Sequence, residues 1–86
     1  MQPVTLYATA TCPYCHRAEQ LLAQKGVADV TLIRVDLDAD ARQRMVTVTG
    51  RRTVPQIFVG DTHVGGYDDL AALERAGKLD LLLAGA

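Results

Sequence analysis

The sequence lacks an excess of basic residues, a long apolar run and a leader segment. Its 9 Lys and Arg residues are balanced by 10 Asp and Glu residues, so we expect no nucleic acid partner. It contains no run of about 18 apolar residues that would span a membrane. The first residues, Met1-Gln2-Pro3-Val4, carry neither a positive n-region nor a cleavage site. These absences predict a cytoplasmic protein without a membrane partner.

Cysteine is also scarce, because the 86 residues contain only 2 of them, Cys12 and Cys15. Two cysteines at this spacing in a cytosolic protein are more often catalytic than structural. The sequence shows no repeat, low-complexity tract or linker. Its length predicts one small domain over residues 1–86, which we expect to be a monomer.

A strand-to-helix junction surrounds the two cysteines. Residues 3–8 are rich in strand formers, and residues 13–25 form a predicted helix that ends before Gly26. Pro13 suits the first helical turn because its missing N–H has no partner there, which places Cys12 at the N-cap. The free N–H groups of Tyr14, Cys15 and His16 should then point at the Cys12 sulfur and, with the helix dipole, favour a thiolate. Cys12 is therefore the predicted attacking sulfur.

Cys15 belongs to a different face of the same helix. Cys15, Ala18 and Leu22 recur at i, i+3 and i+7, which is the apolar stripe that packs against a core. A buried cysteine one turn from an exposed Cys12 suits a resolving thiol. It would close an intramolecular disulfide after Cys12 has formed a mixed one.

The residues alone leave other uses of the cysteines open. A purely structural pair is common, although packing does not require Pro-Tyr between the two. A zinc site would have to use Cys12, Cys15, His16 and His63, whereas structural zinc sites usually draw on two close ligand pairs. Cys-x-x-Cys-His is also the attachment motif of c-type haem, which needs export and a second axial ligand. We expect no metal.

Three further strands and two or three further helices follow. Strands are predicted at residues 30–35, 55–59 and around 62–64, with a hairpin at Gly60-Asp61 between the last two. The short return from the first helix makes the first two strands parallel. The order βαβαββα predicts an α/β fold with a mixed four-stranded sheet flanked by helices.

The later helices are defined by their apolar faces and their caps. The second is expected to begin at an N-cap within residues 36–40, to bury Ala41, Met45 and Val48, and to end at Gly50. Asp68 is the predicted cap of the third helix, which carries Leu70 and Leu73 and stops near Gly77. Residues 79–83 form a last amphipathic turn or helix that covers the core.

Three motifs resemble those of the glutaredoxin family. Cys12-Pro13-Tyr14-Cys15 is similar to the glutaredoxin dithiol motif, and Thr53-Val54-Pro55 and Gly65-Gly66-Tyr67-Asp68-Asp69 are similar to two later motifs of that family. Their order and separations resemble a bacterial dithiol glutaredoxin over essentially the whole chain. The resemblance implies a thioredoxin fold and an enzyme, a glutathione-dependent thiol–disulfide oxidoreductase. Its co-substrate would be glutathione, and its partners would be disulfide-containing or glutathionylated proteins.

The resemblance also implies how glutathione binds. Pro55 would follow a cis bond that turns the backbone of Val54 towards the dithiol, so that glutathione pairs with it like an added strand. From the residues alone, a proline that starts an edge strand is equally open. Tyr14 would line the groove, and Arg51 or Gln56 would reach the glycine carboxylate.

The γ-glutamyl end of glutathione would bind at the third helix. Its carboxylate would meet the helix N-terminus mostly through the backbone amide of Asp68, and the carboxylate of Asp69 would take its amino group. Both acids can instead be simple helix caps. The complete glutathione site implied by the resemblance comprises Tyr14, Arg51, Thr53, Val54, Pro55, Gln56, Gly66, Asp68 and Asp69.

One position departs from the family. Many glutaredoxins carry a lysine three residues before the first cysteine, where this chain has Thr9. The nearest plausible cations for the Cys12 thiolate and for the glycine carboxylate of glutathione are then Arg17, Arg51 and Arg52.

Two alternative functions stay open. One is an iron–sulfur carrier in which Cys12 and two glutathiones bridge a cluster between two chains, and the other is a redoxin that a flavoprotein reductase serves.

Overall fold

The computed structural model describes residues 1–85. Strands and helices alternate in the first half, and two strands followed by two helices make up the second half. The elements are β1 Val4–Ala8, α1 Pro13–Gln24, β2 Val30–Arg34, α2 Ala39–Thr49, β3 Gln56–Val59, β4 Thr62–Gly65, α3 Tyr67–Arg75 and α4 Leu79–Ala84. Each predicted element is present within two residues of its expected bounds, and the predicted last turn is the short helix α4. No helix in residues 1–85 is long and apolar enough to cross a membrane.

The four strands form one mixed sheet with the spatial order β2-β1-β3-β4. β1 pairs with β2 in parallel, as the short βαβ return requires. β3 pairs antiparallel with β1 on one side and with β4 on the other. The predicted mixed sheet is confirmed. The C-terminal end of β1, which leads to the dithiol loop, and the N-terminal end of β3, which follows Thr53-Val54-Pro55, lie at the same end of the sheet.

Alternation along the central strands divides the core between the two faces of the sheet. Val4, Leu6 and Ala8 of β1 face the layer that contains α1, α3 and α4, together with Ile57 and Val59 of β3. Tyr7 points to the opposite face, where it packs with Val35, Ala41 and Met45 under α2. A period of two in the strands and of 3.6 in the helices is therefore sufficient to assign most buried positions.

The prediction that Val48 is buried is wrong, since 53% of its surface is exposed. Its angle around α2 matches that of Ala41 and Met45, which are fully buried. Val48 lies in the last turn of α2, however, where the helix has no fully buried residue. The first turns of α2 pack on the sheet after an N-cap at Asp38, whose carboxylate accepts N–H bonds from Asp40 and Ala41.

The prediction that Asp68 caps α3 is also wrong, because the N-cap is Gly66 and Asp68 lies inside the first turn. Asp69 performs the capping instead. Its carboxylate reaches back to the N–H of Gly66, with a distance of 2.9 Å between nitrogen and Oδ2. The same Oδ2 lies 3.1 Å from Nη1 of Arg51. The Gly66 N–H, with help from the Arg51 guanidinium, lowers the pKa of the Asp69 carboxyl.

A cavity-creating substitution on the α1 stripe should destabilise the fold. Leu22 is fully buried, so Leu22→Ala should lower the free energy of unfolding by about 2–5 kcal/mol. Leu37 is 75% exposed, so Leu37→Ala is a matched control expected to change it by less than about 0.5 kcal/mol. Urea denaturation of the two variants makes the comparison. Equal losses would contradict the assignment of Leu22 to the core.

The cap of α3 makes a prediction about titration. Arg51→Ala should raise the pKa of Asp69 only part of the way to its usual range, because the Gly66 N–H remains as the larger cause. A depressed folded-state pKa adds stability above the unfolded value of about 3.9, and this stability is lost as the pH falls through the folded value. Carboxyl ¹³C NMR titrations would measure the pKa of Asp69 in the unsubstituted protein and in Arg51→Ala. Arg52→Ala is the control, and an unchanged Asp69 pKa in Arg51→Ala would contradict the pairing.

Candidate active site

The N-terminus of α1 is built around the sulfur of Cys12. Cys12 has an extended backbone conformation and is the N-cap of α1, and Pro13 follows at the first helical position, as predicted. The N–H of Cys15 donates to Sγ of Cys12, with a distance of 3.1 Å between nitrogen and sulfur. The N–H of His16 instead donates to the carbonyl oxygen of Cys12 and closes the first turn. One of the three predicted amide donors therefore reaches the sulfur.

Cys12 and Cys15 are joined in a disulfide. Cys15 is 1% exposed and belongs to the core on the α1 face, as its place on the apolar stripe predicts. Cys12 is only 8% exposed, so the expectation of an exposed Cys12 is wrong for this oxidised state. Its sulfur is enclosed between the first turn of α1 and Val54, whose carbonyl oxygen lies 3.8 Å away. Val54 is therefore the part of the later chain that lies beside the Cys12 sulfur.

The loop before the dithiol is fixed by Asp36, which follows β2. Its carboxylate accepts the N–H of Ala10 at 3.3 Å and pairs with the guanidinium of Arg34, with 2.7 Å between Nε and Oδ1. The Arg34 hydrogen bond and the Ala10 N–H together lower the pKa of Asp36 to about 2. Asp36 with its two partners forms a clamp on the loop, and its carboxylate keeps its charge at any pH near neutrality.

A groove runs beside the dithiol between the start of β3 and the N-terminus of α3. Its volume is about 320 Å³, at the small end of the usual range of about 300–1,000 Å³ for small-molecule sites. All nine residues of the expected glutathione site line it, and Tyr67 is an additional wall residue that the sequence analysis did not select. The lining residues are Tyr14, Arg51, Thr53, Val54, Pro55, Gln56, Gly66, Tyr67, Asp68 and Asp69.

The floor of the groove is the segment that leads into β3. The bond between Val54 and Pro55 is cis, as the resemblance implied. Gln56 is only 1% exposed, so its side chain is buried beneath the floor of the groove. Its Nε2 donates to the carbonyl oxygen of Thr53 at 3.0 Å, and its Oε1 lies 2.8 Å from Nε2 of His63. Gln56 is thus occupied within the protein, which leaves Arg51 as the better placed of the two candidates for a carboxylate ligand.

The charged end of the groove is the pair of Arg51 and Asp69 described above, and it depends on a glycine. Gly65 has a φ of +115°, and a Cβ at this position would collide with the carboxylate of Asp69 and lie 3.1 Å from Nη1 of Arg51. Both side chains are about half exposed, at 49% each. The pair therefore presents a cation and an anion to the groove.

An aromatic wall closes the other side. The rings of Tyr14 and Tyr67 are 6.2 Å apart with a tilt of 34°. The guanidinium of Arg17 lies 5.1 Å from the centre of the Tyr14 ring, a cation–π distance. Arg17 thereby supports the wall from the outside, while Tyr14 stays 52% exposed and free to contact a ligand.

His16 and His63 are the two histidines of the chain, and both were possible zinc ligands on the sequence alone. His16 is on the surface, with 62% of its side chain exposed, 4.0 Å from Glu19. His63 instead contacts the side-chain amide of Gln56. In residues 1–85, no three His, Cys, Asp or Glu side chains are grouped so as to hold a metal ion.

Comparison with known proteins places the chain in a family. The glutaredoxin family model matches residues 4–64. The chain is 57% identical to a glutaredoxin of Pseudomonas aeruginosa over 98% of its own length and 99% of the relative. It is 51% identical to glutaredoxin 3 of Escherichia coli K12, over 96% of its own length and 99% of the relative.

A solved structure shows the same architecture. The crystal structure of a buckwheat glutaredoxin–glutathione complex is 33% identical and aligns with a TM-score of 0.87, over 98% of this chain and 78% of the buckwheat chain. The thioredoxin fold implied by the resemblance is thereby confirmed, and glutathione dependence is typical of this family. The chain belongs to the glutaredoxin family, as a dithiol member similar to the bacterial ones and a thiol–disulfide oxidoreductase with Cys12 and Cys15 as its redox pair.

Proposed function

We propose that this glutaredoxin binds glutathione in the groove beside Val54 and uses it to reduce glutathionylated proteins and protein disulfides. The observation that carries the proposal is the convergence of ten residues from four separate chain segments on one groove next to the Cys12–Cys15 disulfide. The buckwheat glutaredoxin, which shares 33% of its sequence with this chain, was crystallised as a complex with glutathione.

The groove offers a partner for each part of the tripeptide. The backbone of Val54 pairs with the cysteine of glutathione as with an added strand, next to the Cys12 sulfur. The N-terminus of α3, through the amide of Asp68, receives the γ-glutamyl carboxylate, and Asp69 receives the amino group. Arg51 exchanges part of its contact with Asp69 for the glycine carboxylate. The opposed charges of Arg51 and Asp69 match those of a zwitterionic peptide.

Deglutathionylation needs only Cys12. Its thiolate attacks the glutathione sulfur of a mixed disulfide, forms a Cys12–glutathione disulfide and releases the protein thiolate, which takes up a proton. A second glutathione thiolate then attacks the glutathione sulfur of that intermediate. The products are oxidised glutathione and a free Cys12 thiolate. Each cycle consumes one free glutathione, and the other half of the oxidised glutathione is the glutathionyl group taken from the substrate. The N–H of Cys15, 3.1 Å from the Cys12 sulfur, stabilises the thiolate as nucleophile and as leaving group.

Reduction of a protein disulfide uses both cysteines. Cys12 forms a mixed disulfide with the substrate, and the Cys15 thiolate attacks the Cys12 sulfur and releases the reduced protein. The resulting Cys12–Cys15 disulfide is the state of the structure. Two glutathione molecules return it to the dithiol. The cycle needs a reduced glutathione pool, which supports a cytoplasmic site of action. A single chain supplies both cysteines and all the groove residues, which supports a protein that works as a monomer.

The two cysteines should separate in a glutathione assay. Cys12→Ser should abolish all activity, whereas Cys15→Ser should keep deglutathionylation and lose most reduction of protein disulfides, because glutathione replaces Cys15 only in the first reaction. The measurement is glutathione-dependent reduction of a small glutathione mixed disulfide and of a protein disulfide, coupled to recycling of oxidised glutathione. Equal loss of deglutathionylation in both variants would refute the assigned roles, and activity independent of glutathione would refute the proposed function.

Arg51 should contribute to glutathione binding through charge. Arg51→Ala should raise the KM for glutathione by about 1.4- to fivefold, since an exposed ion pair contributes roughly 0.2–1 kcal/mol. The effect should shrink between low and high salt because ions screen an exposed pair. Arg52→Ala is the matched control, since Arg52 is exposed but does not line the groove. Identical KM values for the two variants at low salt would contradict the role of Arg51.

A further inference from the structure

A partly buried chain of polar side chains, centred on the buried Gln56, supports the floor of the groove from behind. It begins at the ring of His63 on β4, continues through the amide of Gln56 and ends at Thr53, next to Val54. Nε2 of Gln56 lies 3.0 Å from the carbonyl oxygen of Thr53 and 3.3 Å from its hydroxyl oxygen. Oε1 of Gln56 lies 2.8 Å from Nε2 of His63.

The direction of each hydrogen bond follows from the atoms at the Thr53 end. A backbone carbonyl only accepts, so the Gln56 atom that contacts it must be the NH₂ group. The Gln56 oxygen therefore points at His63 and needs a donor. Nε2 of His63 must carry a hydrogen. Partial burial, with the charge of Arg51, lowers the pKa of His63 against the opposing effect of Asp69 and thereby favours the neutral ring. A neutral imidazole has one N–H, and here it is Nε2–H.

The His63 ring is itself held in place. It packs against the ring of Phe58 with 5.0 Å between the ring centres and a tilt of 31°. Phe58 and His63 are direct partners in the β3–β4 pairing. Phe58 and Gln56 point to the same face of β3, two residues apart. The position of the Nε2–H donor is thus fixed by the packing of the His63 ring within the β3–β4 pair.

We propose that His63 is a positioning residue for the glutathione groove, and that its Nε2–H bond to Gln56 fixes the Thr53–Val54 backbone beside Cys12. This inference rests on the proposed binding of glutathione along Val54. His63 lies outside the set of residues that line the groove. Its action on the reaction passes through Gln56 and Thr53, and it touches neither the thiols nor the peptide.

Loss of the His63 donor should loosen the groove floor in a defined way. The buried oxygen of Gln56 would lose its only protein donor among residues 1–85, and an unsatisfied buried acceptor is unfavourable. The amide would turn to find a new partner and release Thr53. The backbone of Val54 would then be less well aligned for glutathione, while the N-cap of Cys12 would keep its amide donor.

Three substitutions test the role. His63→Phe keeps an aromatic ring against Phe58 and removes the donor. His63→Gln places an NH₂ donor at a similar reach and serves as the rescue variant. Thr62→Val changes the neighbouring, exposed residue of β4 and is the matched control. Each protein is assayed for the kcat and KM of glutathione, and in its reduced form for the single-turnover rate with bis(2-hydroxyethyl) disulfide, which carries no glutathione.

We expect His63→Phe to lower kcat/KM for glutathione about tenfold, equivalent to about 1.4 kcal/mol, mainly through KM. The single-turnover rate with bis(2-hydroxyethyl) disulfide should stay within about twofold of the unsubstituted protein, as should both rates in Thr62→Val. His63→Gln should recover most of the glutathione efficiency. Equal loss of both rates in His63→Phe, or no loss in glutathione efficiency, would overturn the inference.

An NMR measurement on the unsubstituted protein tests the inference without any variant. The ring ¹⁵N shifts of His63 at pH 7 should show the Nε2–H tautomer, and the Gln56 side-chain NH₂ should exchange slowly with solvent. A Nδ1–H tautomer would overturn the inference. If the unsubstituted protein shows no glutathione dependence in the kinetic assay, the proposed function fails. A glutathione-dependent protein with a Nδ1–H tautomer refutes the positioning role of His63 alone.

Discussion

The bond between the N–H of Cys15 and the sulfur of Cys12 is the interaction on which the site depends. It requires a helix that starts directly after Cys12, and Pro13 provides that start. It also requires β1 to be central in the sheet, because only there does the residue before the loop face the beginning of β3. Val54 then approaches the same sulfur from the other side. The reactive atom is therefore defined by two segments that lie 42 residues apart in sequence.

The parts of the molecule that were predictable from the sequence are those governed by local period and local caps. The i, i+3, i+7 stripe of α1 was sufficient to place Cys15, Ala18 and Leu22 in the core. Pro13 was sufficient to place the N-cap. Membership of the groove could also be predicted, although it came from resemblance to a family rather than from period. All nine expected groove residues do line one cavity.

The features that were missed depend on distant contacts. The burial of Cys12 requires Val54 to approach it, and the exposure of Val48 depends on which turns of α2 pack against the sheet. The contact of His63 with Gln56 requires the register of β3 and β4, which shifts between Ile57 and Phe58. No local pattern encodes such a register shift. A search for polar residues on the inner face of adjacent predicted strands would have singled out Gln56, whose burial needs a partner.

Two carboxylates hold the two loops that enter the helices of the site, and they do so in the same way. Asp36 accepts the N–H of Ala10 before α1 and pairs with an arginine, and Asp69 accepts the N–H of Gly66 before α3 and also pairs with an arginine. The hydrogen bonds lower the pKa of each carboxyl group, mainly the Arg34 bond at Asp36 and the Gly66 N–H at Asp69. Both clamps therefore stay charged across the neutral range. The thiolate fraction of a cysteine, whose usual pKa is about 8.5, can consequently change there without loosening either loop, which separates the control of reactivity from the control of shape.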